Sequence, residues 1–232
     1  MAFVEAFRIR CLWAIAGIWL RLKRPERAAN VYGRILRMRP NDPRIIFQRA
    51  WSLIEVPRRR NEAIEALRVL LEHSPSYPFG LFLLGSALQM DGRHQEAVHT
   101  FERADGESPG LPEFYFNWGK SLITLGRKEE AAKAFRQAAL GNPTDVEAWR
   151  ILGGILVELG RPEDGVACQE RVMRLEPSAV DGLELGATLH DLNRLDEAEY
   201  VVRKVLRLDP RRADATELLH RILSDRHRKE DA

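Results

Sequence analysis

The tripeptide Gly119-Lys120-Ser121 has the residue types that close a phosphate-binding loop. That motif also requires a glycine five residues before Gly119, where this chain has Phe114. It further requires a strand-to-helix turn, whereas the residues around Gly119 have the pattern of a helix interior. The sequence therefore predicts no nucleotide site at this position.

The histidines and nucleophilic side chains do not form a catalytic or metal-binding pattern. His94 and His99 are five residues apart and so point to different faces of a helix. No Ser, Cys or carboxylate lies in a recognisable nucleophile or acid–base setting. We therefore expect no catalytic residues, no metal site and no cofactor, and we predict that the protein is not an enzyme. The other four histidines stand alone in the sequence: His73, His190, His220 and His227.

Composition indicates a globular protein of 232 residues that can bury a sizeable core, with 45% hydrophobic and 30% charged residues. Cys11 and Cys168 are far apart, which favours a reducing compartment, the cytoplasm, over a disulfide-bonded secreted protein. The apolar run from Cys11 to Leu20 is too short to span a bilayer, and no signal-peptide cleavage site follows it. We expect a buried first helix.

Six prolines form a ladder with spacings of 35, 34, 34, 34 and 33 residues. Each follows an amphipathic stretch that a proline cannot continue, so the prolines predict helix ends. Two small residues precede most prolines, about 24 and 12 residues upstream, as at Gly119 and Ala131 before Pro143. Small residues let two helices approach closely, so each period predicts a helical hairpin with arms A and B. The prolines are Pro40, Pro75, Pro109, Pro143, Pro177 and Pro210.

The turn and apolar residues agree with this prediction. Gly92, Gly126, Gly160 and Asn193 stand between the arms, where a left-handed residue closes helix A. One hairpin cannot bury its apolar residues alone, so neighbouring hairpins must stack. After residue 212, the apolar stripe Ala215, Leu218, Leu219 and Ile222 predicts a capping helix, followed by a polar tail that we expect to fray.

The segments Trp149-x2-Leu152-Gly153-x2-Leu156 and Tyr115-x2-Trp118-Gly119-x2-Leu122, repeated with period 34, resemble the tetratricopeptide repeat (TPR). The resemblance implies an all-α, right-handed superhelical solenoid whose concave wall is made by the A helices. It divides residues 1–212 into six repeats and leaves residues 213–232 for the capping helix and tail. Repeat two departs from the pattern, because Trp51 stands at its small position and one extra residue lies in its turn or linker. The repeats cover about residues 9–43, 44–77, 78–111, 112–145, 146–178 and 179–212.

TPR arrays are known as binding scaffolds, so the resemblance implies a partner protein whose peptide or helix lies in the concave groove. Large apolar residues that the repeat pattern does not require favour a partner with one buried anchor. Aromatic residues that only fill the contact between A helices are the alternative. Asn117 is at a place where TPR proteins often bind peptide backbone, and Lys120 and Arg150 could pair with a partner carboxylate. The predicted groove residues are Phe79, Phe82, Ser86, Gln89, Met90, Phe116, Asn117, Lys120 and Arg150.

The first 60 residues are strongly basic, with 14 Lys and Arg against 4 Asp and Glu. A solvated charged face is the simplest interpretation, contact with an anionic membrane the second and nucleic acid the third. The alternative function is thus an accessory or assembly subunit, docked at a membrane or larger complex through its first repeat. An incompletely capped first repeat also permits self-association. The residues predicted for this contact are Arg10, Trp13, Trp19, Arg21, Lys23 and Arg24.

Overall fold

The computed structural model describes residues 2–77, 79–105 and 111–230. Within these ranges the chain forms thirteen α-helices, one short 3-10 helix (Pro57–Arg59) and no strand, which confirms the all-α prediction. The α-helices are α1 (Ala2–Arg21), α2 (Pro25–Leu36), α3 (Pro43–Ile54), α4 (Arg60–His73), α5 (Gly80–Met90), α6 (His94–Ala104), α7 (Pro112–Thr124), α8 (Lys128–Gly141), α9 (Val146–Glu158), α10 (Pro162–Leu175), α11 (Ala179–Asp191), α12 (Leu195–Leu208) and α13 (Ala213–Glu230).

The helices belong to two compact units. The first unit is Met1–Pro109 with Lys120–Leu125, and the second is Gly110–Gly119 with Gly126–Ala232. Helices α1 to α6 are therefore in the first unit and α8 to α13 in the second, while α7 contributes residues to both. The division into six repeats at the boundaries given above stays a prediction.

Proline ends the helices as the ladder predicts. Pro75, Pro143, Pro177 and Pro210 each lie two residues after the last residue of an α-helix. Pro40 follows α2 at a slightly greater distance, and Pro109 lies outside the described residues. Because proline has no backbone N–H and a fixed φ, the chain must turn at these points.

The small positions are sites of close helix contact within each unit. In the first unit, a Cβ atom on Gly85 would lie 2.6 Å from Cε1 of Phe101. In the second unit, a Cβ atom on Gly119 would lie 2.6 Å from Cε2 of Phe135. Both distances are shorter than van der Waals contact, so the aromatic ring of one arm occupies the space that only a glycine leaves in the other.

The second hairpin corrects the sequence alignment by one residue. Ala50 is completely buried, whereas Trp51 is 48% exposed. Ala50 is therefore the small residue at the contact, and the prediction that placed Trp51 there is wrong. The extra residue lies in the turn between α3 and α4, which contains the 3-10 helix. A tryptophan cannot fill a site that requires a small side chain, so the turn lengthens instead.

The capping helix packs as predicted, but it is longer than the sequence suggested. Ala215, Leu218 and Ile222 are buried in a core cluster with residues of α11 and α12. The helix continues to Glu230, so residues 226–230, which we expected to fray, are helical. Arg226 forms an ion pair with Glu199 of α12, which anchors this last part of the helix.

Candidate functional site

The predicted groove residues lie in both compact units, and each set is described by itself. Phe79, Phe82, Ser86, Gln89, Met90 and Lys120 belong to the first unit. Phe116, Asn117 and Arg150 belong to the second.

Helix α5 presents part of the predicted set to solvent. Phe79 and Met90, at its two ends, are 50% and 43% exposed, while Phe82 and Gln89 are half-buried. Ser86 is buried, so its side chain contributes to packing and not to the exposed surface. Helix α5 therefore offers an apolar surface built mainly from Phe79, Phe82 and Met90.

Phe79 has an unusual backbone conformation. It immediately precedes α5 with φ +60° and ψ +5°, in the left-handed region that a bulky residue rarely adopts. Its side chain makes no capping hydrogen bond to the helix. A left-handed phenylalanine costs about 1–2 kcal/mol. Strain of this kind is concentrated at functional sites, which makes Phe79 a stronger candidate than its exposure alone suggests.

Sequence reasoning missed three aromatic residues of the first unit. The ring centre of Phe47 on α3 lies 5.3 Å from that of Tyr77 and 6.1 Å from that of Trp51. Helix α3 also contacts α5. Aligning the second repeat on Ala50 would have found Phe47 and Trp51, since Phe47 then takes the place that Phe82 has in the next repeat. We call Phe47, Trp51, Tyr77, Phe79, Phe82 and Met90 the α3–α5 surface.

In the second unit, Phe116 contributes to a core. Its ring lies 5.4 Å from that of Phe135 in an edge-to-face arrangement and packs against Ala138, Ala139 and Ala148. This geometry agrees with the alternative that an aromatic residue fills the contact between helices. Asn117 is half-buried on the same helix. Phe116 is therefore a weaker candidate for partner contact than Phe79 or Met90.

The side chain of Arg150 forms an ion pair with another residue of the second unit. Its Nε donates to Oδ1 of Asp181 at 2.6 Å, and its second guanidinium nitrogen donates to Oδ2 at 3.1 Å. Asp181 is buried, and the Arg150 hydrogen bond holds the pKa of this carboxyl below its usual range, with the Ser178 hydroxyl acting in the same direction. The predicted role of Arg150 toward a partner carboxylate thus competes with an intramolecular one.

The first repeat places its predicted contact residues in different environments. Trp13 packs edge-on against Tyr32 with ring centres 5.4 Å apart, and the Trp19 ring lies 4.6 Å below the Arg27 guanidinium. Both tryptophans are therefore engaged within the repeat. The basic residues of the predicted set are exposed: Arg10, Arg21, Lys23 and Arg24.

The remaining chemical candidate is Gly119-Lys120-Ser121, which lies inside α7 (Pro112–Thr124). A phosphate-binding loop presents successive backbone N–H groups at a helix N-terminus, and these residues are in the helix interior. The prediction that the tripeptide lies in a helix interior is confirmed.

A comparison with protein families agrees with the helical hairpins. The tetratricopeptide repeat family model matches residues 58–112 and 116–180, more than half of the chain. The chain belongs to the tetratricopeptide repeat family. No curated protein matches the sequence significantly.

Solved structures of TPR proteins share this fold. YrrB, described as a TPR protein with an unusual peptide-binding site, is 19% identical; the match covers 82% of this chain and 97% of YrrB with a TM-score of 0.70. MamA from Desulfovibrio magneticus RS-1 is 20% identical over 72% of this chain and 94% of its own, with a TM-score of 0.66. Cut9–Hcn1 of the APC/C is 16% identical over 93% of this chain and 43% of the other, with a TM-score of 0.59.

No helix within the described part of the chain combines the length and apolarity that a bilayer crossing requires.

Proposed function

We propose that this TPR protein is a non-enzymatic interaction scaffold that binds a peptide or helix of another protein along its A helices. The observation that carries the proposal is the α3–α5 surface. Trp51, Phe79 and Met90 each expose close to half of their side-chain area, although large apolar residues are usually buried. Exposed aromatic residues in a cluster are typical of the centre of an interface.

The α3–α5 surface suits a partner with an apolar anchor and a polar flank. Lys120 of the first unit and Arg44 of α3 are exposed and positively charged. The Arg44 guanidinium lies 3.3 Å from a carboxylate oxygen of Asp42, so Arg44 already has an acidic partner within the chain. YrrB supports the proposal to the extent that its structure is described as containing a peptide-binding site.

The first experiment compares partner capture by wild type and by Trp51→Ala/Phe82→Ala. We expect the double variant to lose more than about tenfold in affinity for a captured partner, because hot-spot aromatics carry most of the energy of such interfaces. Leu140→Ala/Tyr200→Ala is the matched control, since both residues are exposed apolar residues of the second unit. Equal capture by all three proteins would refute this use of the surface.

Asn117 and Lys120 are tested separately, because they lie in different units. Asn117→Ala should weaken binding if its amide bonds the partner backbone, and Lys120→Gln should weaken binding only of acidic partners. Circular dichroism and thermal unfolding of each variant show whether the fold is retained.

A second candidate function is docking of the protein on a membrane or larger complex through its first repeat. The observation that favours it is the exposure of Phe3, Phe7, Ile15 and Ile18 on α1. Replacing Phe7 and Ile18 by Ser should move the protein from the sedimentable to the soluble fraction of a native extract. Unchanged fractionation would remove this candidate.

A further inference from the structure

Helix α1 has two apolar faces. One face carries Leu12 and Ala16, which are buried in the core of the first repeat with Tyr32 and Ile35. The opposite face also carries large apolar residues, although it faces solvent: Phe7 is 63% and Ile18 54% exposed. The prediction of a buried first helix is therefore wrong for this face. The exposed positions recur every three or four residues and so form one strip along the helix. The strip consists of Val4, Phe7, Cys11, Ile15, Ile18 and Leu22, with Phe3 at its end.

The first two turns of α1 are exposed on all sides. Every residue from Phe3 to Arg8 is exposed, so this part of the helix extends beyond the core that Leu12 and Ala16 enter. The whole strip covers about 20 residues, which at 1.5 Å per residue is about 30 Å. An apolar strip of this length, left in water, indicates an interaction surface.

Arginine residues border the strip on both long edges. On a helical wheel, Arg10 and Arg21 lie on one side of the strip and Arg8 on the other. Lys23 and Arg24 follow at its C-terminal end. None of these five side chains forms an ion pair with another described residue. The strip is therefore surrounded by uncompensated positive charge.

This charge distribution selects among the surfaces that could cover the strip. In a second copy of the chain, pairing α1 with α1 would bring the same arginines together. The single acidic residue of α1, Glu5, is on the core side, 4.0 Å from Arg39, and cannot offset that repulsion. The occupant must combine an apolar layer with negative charge on both edges of the strip.

We propose that the outer face of α1 binds the surface of an anionic lipid bilayer, with the helix parallel to the membrane plane. This inference rests on the second candidate function and names its partner. Phe3, Phe7 and Ile18 enter the boundary between headgroups and acyl chains, as apolar faces of interfacial helices do. The arginines extend their side chains to the lipid phosphates, which both edges of the strip can reach at once.

The inner face of α1 determines how the protein is then oriented. Leu12 and Ala16 stay in the first-repeat core, so the part of α1 that follows its first two turns remains attached to the repeat while its outer face is in the lipid. Trp13 and Trp19, which the sequence singled out for this contact, are held by Tyr32 and Arg27 and contribute less than the phenylalanines and isoleucines.

The test is co-sedimentation of the full-length protein with vesicles of phosphatidylcholine alone or in equimolar mixture with phosphatidylglycerol. Wild type should bind the anionic vesicles and release them as salt is raised. Phe7→Ser/Ile18→Ser should bind at least about tenfold more weakly, because the strip supplies the apolar contact. Leu140→Ser/Leu208→Ser, which changes exposed apolar residues elsewhere, is the matched control.

The charge requirement is tested by Arg8→Gln/Arg10→Gln/Arg21→Gln, which should bind about a hundredfold more weakly than wild type. Arg136→Gln/Arg174→Gln/Arg211→Gln has the same net charge as the first triple variant but changes exposed arginines of the second unit, so it should bind like wild type.

Cys11 gives an independent signal, since it lies in the strip and is exposed. Anionic vesicles should protect its thiol from a water-soluble maleimide.

Several results would overturn the inference. They are the absence of binding to anionic vesicles, equal binding by the Phe7/Ile18 variant, and a Cys11 thiol that vesicles leave unprotected. Sedimentation of the protein as a dimer that Phe7→Ser/Ile18→Ser dissociates would assign the strip to a second copy instead. If that variant leaves the sedimentable fraction of an extract while wild type binds no vesicles, docking stands, with a protein partner, and the lipid inference fails.

Discussion

The guanidinium of Arg150 on α9 binds the buried carboxylate of Asp181 on α11 through two hydrogen bonds of 2.6 and 3.1 Å. The two residues come from successive A helices of the second unit. Ser178 completes the arrangement, because its hydroxyl donates to Oδ2 of Asp181 and accepts from the Asp181 backbone N–H. The same residues therefore cap α11 and join it to α9.

Arg150→Ala should destabilise the protein by about 1–3 kcal/mol, because it leaves a buried carboxylate without its charged partner. The measurement is urea unfolding followed by circular dichroism. Arg194→Ala is the matched control: Arg194 pairs with Glu163 and Glu197 on the surface, and its loss should cost less than about 1 kcal/mol. Equal losses in the free energy of unfolding would show that the Arg150–Asp181 pair stabilises the protein no more than a surface ion pair.

Asp181 also predicts a dependence of stability on pH. Its folded-state pKa is lowered, first by the Arg150 hydrogen bond. The stabilisation is therefore fully present above the unfolded-state pKa of about 4 and is lost as pH falls through the folded-state value. We expect the free energy of unfolding of wild type to fall in that range more than that of Asp181→Asn. Parallel curves for the two proteins would contradict this assignment.

Gly119→Ala should destabilise the protein by about 1–3 kcal/mol, because the new Cβ atom would lie 2.6 Å from the Phe135 ring. Gly154→Ala is a stringent control. Gly154 is inside α9, and a Cβ atom there meets nothing within 4 Å. An alanine at Gly154 should therefore stabilise the protein by about 0.5–1 kcal/mol through its helix propensity. Thermal unfolding should show a lower midpoint temperature for Gly119→Ala and a higher one for Gly154→Ala than for wild type.

The repeat pattern predicted much of the helical architecture because its signals are local. A proline ends a helix through its own backbone, and Gly126 and Asn193 adopt positive φ in the turns where the sequence placed left-handed residues. The position of Trp51 was not predictable in the same way. The spacing of small residues allows either Ala50 or Trp51 at the small position of the second repeat. Only the packing, in which Ala50 is buried and Trp51 exposed, decides between them.

The candidate site was predicted less completely than the fold. Phe79, Phe82, Met90, Phe116 and Arg150 were all proposed from their places in the repeats, yet Phe116 and Arg150 are engaged in contacts within the second unit. The engagement of Arg150 depends on Asp181, 31 residues away, which a repeat-by-repeat reading does not connect. The left-handed backbone of Phe79 also has no sequence signal, because phenylalanine does not favour it.

The two cysteines should differ in reactivity toward thiol reagents. Burial raises the pKa of the Cys168 thiol, which lowers its thiolate fraction at neutral pH, and the surrounding core restricts access. Cys11 is exposed on α1. In native protein we expect one thiol to react rapidly with a chromogenic disulfide and the second only on unfolding. Cys11→Ser should remove the rapid phase, and a rapid phase that persists would contradict the packing around Cys168.

Phe79→Asn separates the backbone strain of Phe79 from its contribution to binding. Asparagine adopts the left-handed region more easily than phenylalanine, so the variant should be as stable as wild type or more stable by up to about 1 kcal/mol. Phe79→Ala removes the same ring but keeps a strained backbone, and should therefore be less stable than Phe79→Asn. Urea unfolding gives the two free energies.

Both variants should bind a captured partner at least about tenfold more weakly than wild type, because both lack the exposed ring. Lost binding in a protein of undiminished stability would mean that the ring of Phe79 contacts the partner directly. Full binding by Phe79→Asn would mean that the strained conformation has another cause.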